Sequence, residues 1–145
     1  MKKNLLICFV FFASIQVGFA QEWGYDLEEA KLLAKENDKT VILVFQGSDW
    51  CRPCVMLKEE IFETTTFQLY AKDHYVLVEA DFPRKPENAL PAEQQEKNRA
   101  LGLKYNPRGI FPFVVIMDKE GEVLGETGYF SASASEYILH LESFQ

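Results

Sequence analysis

Two cysteines separated by two residues, in the stretch Trp50-Cys51-Arg52-Pro53-Cys54, are the side chains here best suited to chemistry. Thiols at this spacing trade a disulfide for two sulfhydryls, provided one of them ionises readily. The run Val41-Ile42-Leu43-Val44-Phe45 before them reads as a strand, and Val55, Met56, Leu57 and Lys58 after them begin a helical pattern. Cys51 therefore falls at a helix N-terminus, where unbonded N–H groups and the helix dipole stabilise a thiolate. Cys54 follows three residues later on the same side of the first turn, within bridging reach. Pro53 suits an early helical position, since the N–H it lacks would have had no partner there.

Nothing else in the composition competes with this pair. Residues 1–20 read as a secretory signal: Lys2 and Lys3 are the positive region, Leu5 to Phe12 the apolar region, and Gly18-Phe19-Ala20 a small-x-small cleavage pattern. The apolar stretch is short for a membrane span and Gln16 interrupts it. Cleavage leaves 125 of the 145 residues, one domain's worth, over 21–145. The signal removes two lysines and no acid, so the mature chain carries 13 basic and 22 acidic residues, a formal charge of −9. Such a balance argues against nucleic acid and against stable association with anionic membranes. Cys8 leaves with the signal, and the two remaining cysteines close too short a loop to staple a scaffold. A bridge that stabilises so little is there for its chemistry. No metal site is expected, because zinc wants four ligands and His74 and His140 stand 66 residues apart. No cofactor is expected either.

The elements that must hold the pair follow from periodicity and capping signals. Asp26 with Glu29 opens a helix through Leu27, Ala30, Leu33 and Ala34, ending at Glu36-Asn37-Asp38. Lys39 to Gln46 is a strand whose unbroken apolar run, Val41 to Phe45, is covered on both faces. Gly47-Ser48-Asp49 turns into the cysteine-bearing helix, which runs to about Glu63, and Thr65 with Gln68 caps the next. Tyr75 to Asp81 is a strand, Phe82 to Ala89 a surface loop, and Pro91 starts a polar helix ending near Leu101 and Gly102. Phe111 to Met117 and Glu122 to Gly128 form a hairpin through Asp118 to Gly121, and Ser133 with Glu136 caps a last helix. Early alternation of strand and helix favours parallel pairing, so the fold class is α/β: a central mixed sheet flanked by helices on both faces. Phe67, Tyr70, Phe113 and Phe144 are expected in the core.

This order, with Trp50-Cys51-x-x-Cys54 after the first long strand and Phe111-Pro112 leading a later one, resembles the thioredoxin superfamily from about Tyr25 to Phe144. Phe-Gln-Gly-Ser-Asp-Trp-Cys and Asp81-Phe82-Pro83 look most like exported thioredoxin-like proteins of Gram-negative bacteria. The resemblance implies that Cys51 is an exposed nucleophile, Cys54 a buried resolving thiol, and Phe111-Pro112 a cis peptide beside them. Gly128 matches the family's glycine beside the substrate groove, and Trp50, Phe111, Pro112 and Gly128 are the expected substrate-binding residues, with packing beside the disulfide as the first reading of Trp50. Two departures stand out. Thioredoxins proper carry a buried Asp where this chain has Phe45, and the lysine that pairs with it maps to Leu77. Asp49, Glu59 and Glu60 remain as candidates to accept the Cys54 proton. Arg52 favours the Cys51 thiolate while Asp49 opposes it, so their net effect is not legible.

The implied function is thiol–disulfide exchange with exported proteins in the periplasm, as reductase or isomerase in preference to oxidase. The implied partners are protein disulfides or dithiols and a redox partner protein, and with no evident dimerisation element a monomer is expected. The alternative is a non-catalytic thioredoxin-like binding module with an inert bridge. Arg84-Lys85 reads as a solvated loop, with steering of an acidic partner as the alternative reading.

Overall fold

The computed structural model describes residues 22–145; the expected signal segment and Cys8 lie outside them. Chain order is β1 (Trp23–Gly24), α1 (Leu27–Asn37), β2 (Thr40–Gln46), α2 (Arg52–Leu57) and a π-helical turn (Lys58–Phe62). Then come α3 (Thr65–His74), β3 (Tyr75–Asp81), a 3₁₀ turn (Pro86–Asn88), α4 (Ala92–Tyr105), β4 (Phe113–Met117), β5 (Val123–Thr127) and α5 (Ala134–Glu142). Five strands make one sheet in the order β1-β3-β2-β4-β5. β2 runs parallel to β3, with Val41 opposite Val76 and Phe45 opposite Ala80, and antiparallel to β4, with Val41 opposite Met117. The mixed sheet expected from the alternation is therefore present.

Both faces of β2 are covered, as its unbroken apolar run requires. Ile42 and Val44 point to one face, where Leu57, Ile61, Phe62, Phe67, Tyr137 and Leu141 close a core beneath α2, α3 and α5. Val41, Leu43 and Phe45 point to the other, against Leu27, Ala30 and Ala34 of α1 and partly buried Leu101 and Tyr105 of α4. Successive strand side chains alternate between these two cores, so a single apolar strand feeds both.

Caps fix several boundaries. Asp26 accepts from the N–H groups of Glu28 and Glu29, and Ser133 and Glu136 form a complete reciprocal box. The third cap lies at Thr64 rather than Thr65: its hydroxyl accepts from Phe67 N–H, because the extended residue before the first turn is the one whose oxygen can reach it. The polar helix α4 continues past Gly102 to Tyr105. β1 pairs with β3, Trp23 opposite Leu77, and of the two aromatic residues expected over the core at this end Trp23 packs on Phe62 while Tyr25 faces solvent. Leu33, expected inward, is exposed. Tyr70 and Phe144 are partly buried against the α2-side core, and Phe67 and Phe113 are buried.

Candidate active site

The β2–α2 junction is a tight turn in which Gly47 carbonyl accepts from both Trp50 and Cys51 N–H. The Trp50 indole lies flat against Gly47, so close that a Cβ there would stand 2.2 Å from the ring. Only glycine allows that approach. From this turn Cys51 enters as the N-cap of α2, and its Sγ accepts from Cys54 N–H at 3.3 Å. Pro53 occupies the first turn, where no backbone donor is missed. The two sulfurs are bonded to each other, with Cα atoms 5.3 Å apart.

Residues far apart in sequence come together at Trp50, the neighbour of Cys51. The Phe111–Pro112 peptide is cis. The Phe111 ring meets the Trp50 ring edge-on at 5.3 Å between centroids, which brings the start of β4 beside the motif. Gly128, just past β5, approaches so near that a Cβ would stand 3.2 Å from the Pro112 carbonyl oxygen, and its own carbonyl accepts from Tyr137 hydroxyl. Trp50, Phe111, Pro112 and Gly128 are thus connected to one another, and Trp50 is next in sequence to Cys51.

One expectation is corrected. Cys51 is not an exposed residue in this bonded state: 5% of its surface reaches solvent, against 2% for Cys54. The cause is local, since the cap seat turns the Cys51 side chain inward along the first turn of α2, where it meets Cys54.

The three proton-acceptor candidates separate cleanly. Asp49 accepts from Arg84 N–H, Lys85 N–H and the Asn88 side-chain amide, bonds that hold its carboxyl below the usual carboxylate range. Glu60 accepts from Tyr129 hydroxyl at 2.6 Å. Glu59 lines a cavity of about 230 Å³ shared with Cys54, Gln46 and Lys58. Phe45 and Leu77, which stand at the positions of the charged pair, are both buried, and Phe45 packs against Phe82 and Phe113.

The loop after β3 contributes what sequence reasoning overlooked. Trp50 Nε1 donates to Phe82 carbonyl at 2.8 Å, and the Arg84 guanidinium lies 3.7 Å from the centre of the Trp50 ring. Ser48 N–H and hydroxyl both donate to the Asp81 carboxylate, while buried Asn98 donates to Asp81 carbonyl. The 81–88 segment is consequently pinned to the cysteine turn from both ends. The only sequence signal for it was the run Asp81-Phe82-Pro83.

A family model described as a thioredoxin-like domain matches residues 27–143. The chain belongs to the thioredoxin-like family. Disulfide bond reductase DsbH of Chlamydia pneumoniae is 36% identical over 115 residues, covering 79% of this chain and 68% of that protein. Thioredoxin-related protein DsbJ of the same organism is 27% identical over 101 residues, and this thioredoxin-like chain spans 28% of its length. The solved structure of a DsbH oxidoreductase matches with a TM-score of 0.79 at 30% identity, over 99% of this chain and 94% of that one. With its bonded Cys51–Cys54 pair, this thioredoxin-like protein is a thiol–disulfide oxidoreductase.

Proposed function

We propose that the chain reduces or isomerises disulfides of exported proteins, with Cys51 as nucleophile and Cys54 as resolving thiol. The observation that carries this is the placement of the bridge: Cys51 caps α2, so its sulfur sits at the positive end of a helix. A free cysteine near pKa ~8.5 is mostly thiol at neutral pH, and a helix N-terminus lowers that value.

In the reduced protein the Cys51 thiolate attacks one sulfur of a substrate disulfide. A bond forms between Cys51 and that sulfur, and the other substrate sulfur leaves as a thiolate. Cys54 then gives up its proton into the cavity it shares with Glu59 and attacks Cys51 Sγ. The internal bridge reforms, the second substrate sulfur leaves, and two electrons have passed to the substrate. A partner dithiol restores the reduced state by the reverse exchange. Trp50, Phe111, Pro112 and Gly128 form the surface on which the substrate chain rests. The reductive direction is supported by the likeness to DsbH of Chlamydia pneumoniae, a disulfide bond reductase. Export through residues 1–20 to the periplasm supplies the substrates, and the mature protein acts as a monomer.

The test is insulin reduction by purified residues 21–145 with a thiol donor. Turnover is expected, and Cys51→Ser abolishes it. A bridge that resists reduction, with no turnover, points instead to the partner-binding alternative.

A further inference from the structure

Arg84 is exposed and lies on the β3–α4 connection, yet it is not a free surface cation. Its guanidinium is stacked on Trp50, next in sequence to Cys51, at 3.7 Å from the ring centre. Trp50 is itself fixed by its bond to Phe82 carbonyl, and Asp49 holds the backbone N–H groups of Arg84 and Lys85. The guanidinium therefore stays where it is with little freedom to lose on binding.

Among the described residues the Arg84 side chain makes no ion pair and no hydrogen bond, and the acids around it are engaged elsewhere. Asp49 faces the loop backbone, Asp81 faces Ser48, and Glu96 is paired with Arg99. Two concavities meet at Phe82-Pro83-Arg84. One, about 600 Å³, continues to Trp50, Gly109 and Phe111; the other, about 470 Å³, continues to Leu90 and Gln95. An aromatic floor beside the bridge thus ends in an unoccupied planar fork of N–H donors, the geometry that takes a carboxylate in two parallel bonds.

We propose that Arg84 is a specificity residue, and that the preferred partner segment carries an Asp or Glu within a few residues of its reacting cysteine. This inference rests on the exchange reading above and names the substrate class for it. The chain as a whole is acidic, at −7, and repels such a segment at long range. Recognition then has to come from a short-range contact, and a guanidinium stacked on Trp50 and held in place supplies one.

Three model peptide disulfides, identical except for Glu, Gln or Lys beside the cysteine, test it. The unsubstituted protein should give the highest kcat/KM with the Glu peptide, mostly through KM. In Arg84→Gln the Glu-over-Gln preference should fall about tenfold, the scale of one charge-assisted pair. Arg84→Glu should reverse the order in favour of Lys, and Arg84→Lys, which keeps the charge without the planar fork, should restore part of the preference. Unchanged ratios, within about twofold, in both Arg84→Gln and Arg84→Glu overturn the proposal, provided circular dichroism shows both folded. Turnover of all three peptides without a Glu preference also overturns it while leaving the exchange reading intact. Turnover of none by the unsubstituted protein defeats the exchange reading, and this one falls with it.

Discussion

Glu79 shows how a single side chain can carry a hidden cost. It lies on β3 two residues after Leu77 and so faces the same core, beneath α2 and α3, instead of solvent. Burial pushes its carboxyl above the ordinary value of 4.5, more strongly than Lys58 and Gln46 draw it down, and Asp81 adds to the rise. A carboxyl whose folded value is raised favours the fold when protonated. Its contribution is complete below about 4.5 and is lost as pH climbs through the raised value. Glu79→Gln removes that loss. The variant should match the unsubstituted protein at low pH and unfold about 2 °C higher at pH 7, a modest shift because the group is only partly buried. Thermal unfolding followed across pH checks the sign; equal melting curves at pH 7 refute it. Glu79 escaped notice in the sequence because a strand Glu says nothing of what lies over it.

At the level of elements, α2 and the loop after β3 behave as one unit. α2 is short, Arg52–Leu57, and passes directly into the π-helical turn, in which Glu63 N–H bonds to Lys58 carbonyl. No local signal in Lys58–Phe62 announced that widening, since Ile61 and Phe62 reach the core equally well in an ordinary helical pattern. Asp49 is the tether to the loop, and removing it tests the coupling. Asp49→Ala should leave the sheet untouched while amide exchange at Arg84 and Lys85 accelerates by about tenfold or more, because two backbone donors lose their acceptor. Unaltered protection there would show that the loop is held by other contacts. Capping signals were legible where side chain and spacing coincide, as at Asp26 and Ser133. At Thr64-Thr65-Thr66 three equivalent hydroxyls compete, and the path of the backbone chooses among them.

The whole molecule depends on the layer between α2 and the sheet. Leu57 is 1% exposed and sits in the core with Ile42, Val44 and Ile61, so it anchors the end of the cysteine-bearing helix. Leu57→Ala should cost about 2–5 kcal/mol of unfolding free energy, the range for a buried leucine that leaves a cavity. Denaturant unfolding of the oxidised protein measures it, and a loss under 1 kcal/mol would mean that α2 settles into the gap.

The sequence alone determined the main helices, the four longer strands, the central buried strand among them, the pairing of Cys51 with Cys54 and the family likeness, because these depend on local spacing and on period-two and helical patterns. Only the tertiary structure decided the rest. Strand order β1-β3-β2-β4-β5 joins β1 to β3 across more than fifty residues. The same folding seats Trp50 between Phe111, the Phe82 carbonyl and Arg84. It also turned Asp49 from a candidate proton acceptor into a loop tether and buried Cys51 at its cap. Such outcomes rest on contacts between segments that share no local pattern, so they exist only once the chain has closed on itself.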